Sequence, residues 1–165
     1  MEEREVKIID VDVKRVVDTL LSWGAKKTFE GEIDAIRYVG PDKDTLVRLR
    51  KKGPSAEFVV KKRLPSQRVK AFKEYETAVA DFETMKQILE QLGFKEHRRS
   101  KKHRISYTLG DTVFEFDTLE GIPTYLEIEA PSEEALFEAA KKLGFNKEQC
   151  LNWSENDVIQ HYRNQ

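Results

Sequence analysis

The chain has 165 residues, enough to bury a sizeable hydrophobic core, and we expect residues 1–165 to form a single domain. Lys and Arg total 29 while Asp and Glu total 30, so the net charge of -1 provides no general attraction for nucleic acid or for an anionic membrane surface. No apolar run approaches the roughly 20 residues of a membrane-spanning helix. The single cysteine, Cys150, excludes an internal disulfide, and the sequence therefore predicts a cytoplasmic protein.

Apolar residues at helical spacing predict four helices, each preceded by a side chain that can cap it. The caps and the glycines that end the helices are, in chain order, Asp10 or Asp12 with Gly24, Asp81 with Gly93, Ser132 with Gly144, and Ser154 for a short last helix. The other segments alternate with a period of two and are predicted to be strands.

The two halves of the chain resemble each other weakly. Glu3-x-Glu5, a helix and the segment WGAKK are matched by Glu74-x-Glu76, a helix and the segment LGFKE. This pattern predicts two halves, each with one strand, one helix and three further strands. The alternative is chance similarity between amphipathic elements.

Seven predicted strands carry charges on one face and mainly apolar side chains on the other. The charged positions are Glu3, Glu5 and Lys7; Arg48 and Arg50; Lys61; Glu74 and Glu76; Lys102 and Arg104; Glu115 and Asp117; and Glu127 and Glu129. One such strand is typical of an open sheet with a solvated face, and that structure is the alternative. Seven together favour a sheet that curls closed, with helices on its apolar face. The predicted fold class is therefore α+β, an antiparallel barrel with a charged interior and helices packed outside.

The charges of this predicted interior indicate its ligands. Burying so many charges is costly unless they pair with each other or meet a charged ligand. The Lys and Arg side chains suit a polyanion such as a phosphate chain. The carboxylates suit a hard cation, Mg²⁺ or Mn²⁺. Together they are typical of phosphoryl transfer, in which positioning and charge stabilisation carry most of the catalysis.

The order of these residues resembles the CYTH superfamily, the triphosphate tunnel metalloenzymes, over nearly the whole chain. Glu3-x-Glu5-x-Lys7 is similar to the ExExK signature of that family. The similar positions that follow are Arg48-Leu49-Arg50, Lys61, Glu74-x-Glu76, Lys102-x-Arg104-x-x-Tyr107, Asp117, and Glu127 and Glu129 within YLEIE. The family includes class IV adenylate cyclases, thiamine triphosphatases, inorganic tripolyphosphatases and RNA triphosphatases, and the whole-chain similarity is greatest to the class IV adenylate cyclase-like branch.

The resemblance implies an eight-stranded antiparallel tunnel with a triphosphate along its axis. It implies that the phosphates are held by Lys7, Arg48, Arg50, Lys61, Lys102 and Arg104. It implies metal ligands at Glu3, Glu5, Asp117, Glu127 and Glu129. Lys7 is also expected to act in catalysis, with Glu74 and Glu76 positioning metal, water or nearby basic groups. Lys61 is preferred to Lys62 because of its phase in the strand.

Two reactions are compatible with the same phosphate clamp. A hydrolase, or triphosphatase, would direct water at the terminal phosphorus and release orthophosphate. A lyase, the adenylate cyclase, would direct the ribose 3′-hydroxyl at the α-phosphorus and release pyrophosphate. The expected partner is ATP, inorganic triphosphate or thiamine triphosphate. A non-catalytic module that binds nucleotide or polyphosphate is the alternative, and a homodimer stays open.

The basic segment HRRSKKHR at 97–104 lacks the interleaved aromatic side chains that are typical of single-stranded RNA binding. We therefore expect no nucleic-acid partner. The segment is predicted to be a solvated loop followed by a tunnel strand.

Overall fold

A closed ring of eight antiparallel strands forms the centre of the computed structural model, which describes residues 2–164. The strands are β1 (Glu2–Ile8), β2 (Lys26–Tyr38), β3 (Thr45–Lys52), β4 (Ser55–Leu64), β5 (Lys70–Val79), β6 (Glu96–Leu109), β7 (Thr112–Leu119) and β8 (Ile122–Ala130). Their order around the ring is β1-β5-β4-β3-β2-β6-β7-β8, and β8 pairs with β1 to close it. The predicted α+β barrel is confirmed.

The four predicted helices are present outside the barrel. They are α1 (Val13–Ser22), α2 (Phe82–Gln91), α3 (Glu133–Lys142) and α4 (Glu155–Arg163). Asp12 rather than Asp10 caps α1, accepting a hydrogen bond from the backbone N–H of Arg15 at 3.0 Å. A short 3₁₀ turn at Lys147–Gln149 was not predicted. None of the helices within residues 2–164 is long and apolar enough to cross a membrane.

The helices cover the apolar outer face of the barrel, which leaves the charged face inside. Val6 and Ile8 of β1 are buried in the same cluster as Val16 of α1 and Leu136 of α3. On another side, α2 packs against β3 in a second cluster. A third cluster joins α4 to the strand ends at Leu119 and Ile122. Because side chains alternate along a strand, burying the apolar set under helices directs the charged set into the barrel.

The predicted repeat is visible in the topology. The first half runs β1, α1, β2, β3, β4 and the second runs β5, α2, β6, β7, β8. Each strand of the first half has a counterpart in the second half: β1 and β5, β2 and β6, β3 and β7, β4 and β8. Replacing every strand in the ring by its counterpart gives the same cyclic order, read in the opposite direction. The helix ends also match, because Gly24 after α1 has φ 84° and Gly93 after α2 has φ 87°. Glycine adopts this left-handed conformation without the steric cost of a side chain.

The prediction for segment 97–104 was wrong in part. The whole segment lies within β6, and residues 96–101 pair with residues 34–38 of the long strand β2. Basic side chains at the outward positions are compensated across the strands; for example, Arg99 donates to both carboxylate oxygens of Asp34, at 2.9 and 2.6 Å. This cross-strand pairing makes a regular strand stable where composition alone favoured a loop.

Candidate active site

A cavity of about 590 Å³ runs inside the barrel and is lined mainly by charged side chains. Ten Lys or Arg side chains and ten Asp or Glu side chains line it. All the site residues predicted from the sequence lie on this lining except Glu76 and Asp117. The strands therefore bring together residues that lie more than a hundred positions apart in the sequence.

The N-terminal strand β1 presents Glu3, Glu5 and Lys7 to the cavity. Lys7 is 3% exposed, forms an ion pair with Glu127 of the neighbouring strand β8, and lies 3.6 Å from Glu5. Burial alone would lower the pKa of Lys7, but Glu127 and Glu5 raise it above its ordinary value. Lys7 is therefore a fixed positive charge at the centre of a group of carboxylates.

Lys61 of β4 faces the cavity, as the strand phase predicted. It is 7% exposed and forms ion pairs with Glu3 and, at 2.6 Å, with Glu74 of β5. Lys62 instead points outward and lies 2.6 Å from Asp42. Burial raises the pKa of Glu3 to about 7, whereas Lys61 lowers that of Glu74 to about 2 against the effect of burial. Glu3 therefore takes up a proton more readily than its neighbour Glu74.

Asp117 of β7 is fully buried between cations and lies outside the cavity lining. Nε and Nη2 of Arg104 donate to its two carboxylate oxygens at 2.6 Å, and Lys102 donates to it at 2.7 Å. The hydroxyl of Tyr125 donates to the same carboxylate at 3.3 Å. Burial would raise the pKa of Asp117, but Arg104 and Lys102 lower it to about 2. Both of its carboxylate oxygens therefore accept hydrogen bonds from cationic side chains.

The two arginines of β3 differ in their partners. Arg50 is engaged by Glu57 at 2.6 Å and by Glu76 at 3.1 Å. Glu76 is 40% exposed and lies beside Arg50 rather than on the cavity wall. Arg48 forms no ion pair within residues 2–164, and its Nε is buried without a hydrogen-bond partner there. Burial and the neighbouring Arg50 lower the pKa of Arg48, and the more distant Glu74 offsets this only in part.

Two overlapping groups of carboxylates have the geometry of a metal site. Glu3, Glu5 and Glu129 form one, and Glu115, Glu127 and Glu129 form the other, with the candidate ligand oxygens in each group within 4.8 Å of one another. Oxygens that bind one divalent ion lie within about 5 Å of one another, since each bond is roughly 2.0–2.6 Å. The donor set is therefore suitable for Mg²⁺ or Mn²⁺.

Glu129 connects the two groups and has no cationic partner in contact with it. Neither a hydrogen bond nor an ion pair of Glu129 occurs within the described part of the chain. Burial, together with Glu115 and Glu127, raises the pKa of Glu129 well above its ordinary value. A divalent cation between these carboxylates would offset the repulsion, which is an independent reason for the fit.

The structure adds lining residues that the sequence did not reveal. Arg37 of β2, Lys70 of β5 and Glu155 of α4 all face the cavity. Burial and the nearby Lys7 lower the pKa of Lys70 to about 8. Glu155 reaches the cavity because Leu151 pairs with Lys7 through backbone hydrogen bonds of 2.8 and 2.9 Å, which brings the start of α4 to the barrel. The signal for Arg37 and Glu155 is weak in sequence, since neither belongs to a strand that alternates charged and apolar residues.

Comparison with known proteins places the chain in a family. The model of the CYTH domain matches residues 1–162. A Methanocaldococcus jannaschii protein named "Putative adenylate cyclase" is 29% identical over 168 residues, which cover 93% of this chain and 96% of that protein. A conserved hypothetical protein from Pyrococcus furiosus has a TM-score of 0.81 at 25% identity, over 95% of this chain and 99% of its own.

A more distant structure has the same fold. It is described as "Putative adenylyl cyclase HpAC1 from Hippeastrum" and has a TM-score of 0.60 at 16% identity, over 98% of this chain and 96% of its own. At that identity the likeness concerns the fold alone. The match of residues 1–162 to the family model, by contrast, spans nearly every element of the barrel and every charged strand described above. The chain belongs to the CYTH domain family.

Proposed function

We propose that the protein binds a triphosphate inside the barrel together with Mg²⁺ or Mn²⁺ and cleaves one of its phosphoanhydride bonds. One observation carries the proposal: the cavity holds an unpaired cation and an unpaired carboxylate on opposite sides. Arg48 lies on β3 and Glu129 on β8, four strands apart in the ring of eight. A phosphate chain with a divalent cation supplies the missing charge to both, whereas neither ligand alone would do so.

The carboxylates that suit the metal are those around Glu129. Glu3, Glu5, Glu115 and Glu127 complete the two groups. These carboxylates would hold the divalent cation, which would supply positive charge against the phosphate chain during cleavage. Asp117 was predicted from the resemblance to be a further ligand, but its oxygens bind Arg104 and Lys102. We propose that Asp117 holds these two cations toward the substrate instead.

The phosphates would be bound by Lys7, Arg48, Arg50, Lys61, Lys102 and Arg104. Arg48 has no ion pair within residues 2–164 that a phosphate would have to replace. Lys61 and Lys7 already pair with carboxylates of the acidic groups, so they can lie between the metal and the phosphate oxygens. Arg50 would contact the phosphates while Glu57 and Glu76 orient its guanidinium. Glu74, ionised and next to Lys61, is in a position to keep that lysine charged.

The nucleophile distinguishes two forms of this activity. The relative in Methanocaldococcus jannaschii carries the name of an adenylate cyclase. The Hippeastrum structure is described as revealing a dominant triphosphatase activity. A clamp built for phosphates serves either water at the terminal phosphorus or a ribose hydroxyl at the α-phosphorus. We therefore propose cleavage of a triphosphate as the function, by a class IV adenylate cyclase or by a triphosphatase of the cytoplasm.

Product analysis tests the proposal. The protein is incubated with Mg²⁺ or Mn²⁺ and, separately, with ATP, inorganic triphosphate and thiamine triphosphate. Cyclic AMP with pyrophosphate identifies the cyclase, and orthophosphate identifies the triphosphatase. Tight binding of all three compounds without any product would contradict cleavage and leave the non-catalytic binding module. Chelation of the metal with EDTA is expected to stop product formation.

A further inference from the structure

Three arginines lie side by side on the inner face of three neighbouring strands. Arg37 of β2 is directly opposite Arg48 of β3 on one side and Arg98 of β6 on the other. Residues directly opposite in antiparallel strands have Cβ atoms about 4.5–5.5 Å apart. This arginine row therefore places three like charges next to one another inside the barrel.

Among residues 2–164, Glu155 is the carboxylate in contact with the arginine row. Arg37 forms neither a hydrogen bond nor an ion pair with any residue in 2–164, and the Nε of Arg48 is buried without an acceptor in the same range. Arg98 contacts Glu155 at 3.4 Å and donates to the side-chain oxygen of Asn156 at 3.2 Å. Glu155 is shared with Lys102 at 3.1 Å. Like charges directly opposite in a sheet are destabilising, so the row favours an anion.

A small side cavity lies against the row. Its volume is about 30 Å³, and Ala35 and Ser100 contribute small side chains to its wall. Arg37 and Arg48 line both this cavity and the main one, so the arginine row forms the boundary between the two cavities. The volume is that of about two water molecules. It can hold oxygens of an anion whose remaining atoms lie in the main cavity.

Burial disfavours the charged form of Arg37 and Arg48. It lowers the pKa of Arg37; Glu155 opposes this effect, and the neighbouring Arg98 adds to it. It lowers the pKa of Arg48 in the same way. An oxyanion between the guanidinium groups would remove this penalty through charge-assisted, bidentate hydrogen bonds.

We propose that Arg37, Arg48 and Arg98 form an additional phosphate subsite, next to the triphosphate clamp with which it shares Arg48. The subsite takes one tetrahedral phosphate group. That group is either free orthophosphate or the end group of a chain longer than three phosphates. The inference rests on the proposed function only in that phosphates enter the barrel, and it does not require turnover.

The binding test uses Arg37→Gln with Arg99→Gln as the matched control. Arg99 lies on the outer face of β6 and pairs with Asp34, so its replacement changes the net charge equally without touching the row. Orthophosphate, inorganic triphosphate and inorganic tetraphosphate are titrated calorimetrically into each protein in metal-free buffer. Arg37→Gln is expected to weaken the phosphate bound at the subsite about tenfold or more, because it removes charge-assisted hydrogen bonds. Triphosphate affinity should stay within about twofold, and Arg99→Gln should match the wild type.

The same titrations distinguish the two sources of phosphate. If the subsite takes orthophosphate, orthophosphate binds to wild-type protein already saturated with triphosphate, and Arg37→Gln loses this binding. If it takes the end of a longer chain, the wild type binds tetraphosphate about tenfold more tightly than triphosphate, and Arg37→Gln binds both equally. The proposal is overturned if Arg37→Gln leaves both the orthophosphate affinity and the ratio of tetraphosphate to triphosphate affinity unchanged.

Thermal melting separates a binding defect from a folding defect. Removing one of three adjacent like charges is expected to raise the melting temperature of Arg37→Gln by about 1–3 °C in phosphate-free buffer. Orthophosphate or tetraphosphate should then stabilise the wild type and Arg99→Gln but not Arg37→Gln. A lower melting temperature in phosphate-free buffer would contradict the uncompensated row. Triphosphate cleavage by the wild type is measured in parallel, and its absence would overturn the proposed function while leaving these binding results interpretable.

Discussion

The two opposite walls of the barrel differ in how their charges are compensated. The acidic wall consists of Glu3 and Glu5 of β1, Glu115 of β7, and Glu127 and Glu129 of β8. The basic wall consists of Arg37 of β2, Arg48 and Arg50 of β3, and Arg98 and Lys102 of β6. On the acidic wall, Lys7 and Arg104 neutralise Glu127 and Glu115, and among residues 2–164 no cation is in contact with Glu129. On the basic wall, Arg37 and Arg48 have no carboxylate in contact within residues 2–164.

The difference shows that charges on neighbouring strands neutralise each other. The charges that are left without a partner lie on opposite sides of the cavity. Arg104 and Asp117, for example, are directly opposite residues of β6 and β7. Glu129 and Arg48 lie on strands four positions apart in the ring, too far around it to pair as neighbours. Burial of a charge is therefore a poor guide to function in this barrel. Unpaired charges on opposite walls indicate better where a ligand belongs.

The largest effect is expected for Asp117, which the structure places in a clamp rather than on either wall. Asp117→Asn leaves the buried Arg104 and Lys102 with one carboxylate fewer. Breaking a buried ion pair costs about 3–5 kcal/mol, and we expect the lower end because Glu115 and Glu155 remain. The melting temperature should fall by roughly 6–12 °C. The exposed turn residue Glu120, changed to Gln, serves as the control. An unchanged melting temperature with a lost response to Mg²⁺ would make Asp117 a metal ligand instead.

Glu129→Gln breaks the acidic wall at its one uncompensated position. Loss of a metal-binding carboxylate is expected to reduce metal-dependent cleavage at least about 100-fold, since even outer-sphere partners of a metal contribute 10–100-fold. Without metal, the variant should be at least as stable as the wild type, because Glu129 faces Glu115 and Glu127 without a cation in contact. Cleavage rates at several Mn²⁺ concentrations and melting curves in EDTA measure both effects.

The matched control for this change is Glu30→Gln. Glu30 lies on the barrel exterior in an exposed pair with Lys27, so its loss alters the net charge equally. Wild-type cleavage by Glu129→Gln, or a clearly lower melting temperature in EDTA, would remove Glu129 from the metal site.

Much of this barrel could be predicted because its strands alternate regularly. In β7 and β8 the charged residues occupy every second position, so burying Phe114, Phe116 or Ile128 under helices fixes where the carboxylates point. The caps Asp12 and Ser132 likewise identify the helix starts because their side chains accept backbone N–H groups there.

The rest could not be predicted because it depends on the order of strands around the ring. The inward positions of β2 are Ile33, Ala35 and Arg37, and two apolar residues conceal the charged one. The sequence also does not show that Arg37 lies between Arg48 and Arg98, because that neighbourhood requires the registers of both pairings. Only the structure, in turn, shows that Arg104 engages Asp117.

Arg48 and Arg50 provide the comparison within the basic wall. Arg48→Ala is expected to weaken inorganic triphosphate binding about 10–30-fold, because it removes a cation that has no protein partner to compete with the ligand. Arg50→Ala should cost about threefold or less, because Glu57 and Glu76 already engage its guanidinium. Calorimetric titration with triphosphate in metal-free buffer measures both affinities. Equal losses would show that protein partners do not reduce the contribution of an arginine to this clamp.

The smallest effect is expected at Glu155, the carboxylate of α4 that contacts two cations of the basic wall. It contacts Arg98 at 3.4 Å and Lys102 at 3.1 Å, and it therefore competes with any anion for these cations. Glu155→Gln is expected to tighten orthophosphate binding about two- to threefold, corresponding to roughly 0.5 kcal/mol of removed competition. It should also lower the melting temperature by about 1–3 °C in phosphate-free buffer, since Arg98 and Lys102 each lose a carboxylate partner. Tighter orthophosphate binding together with a lower melting temperature would indicate that the basic wall carries more positive than negative charge. A weaker orthophosphate affinity would show that Glu155 orients Arg98 for the anion rather than competing with it.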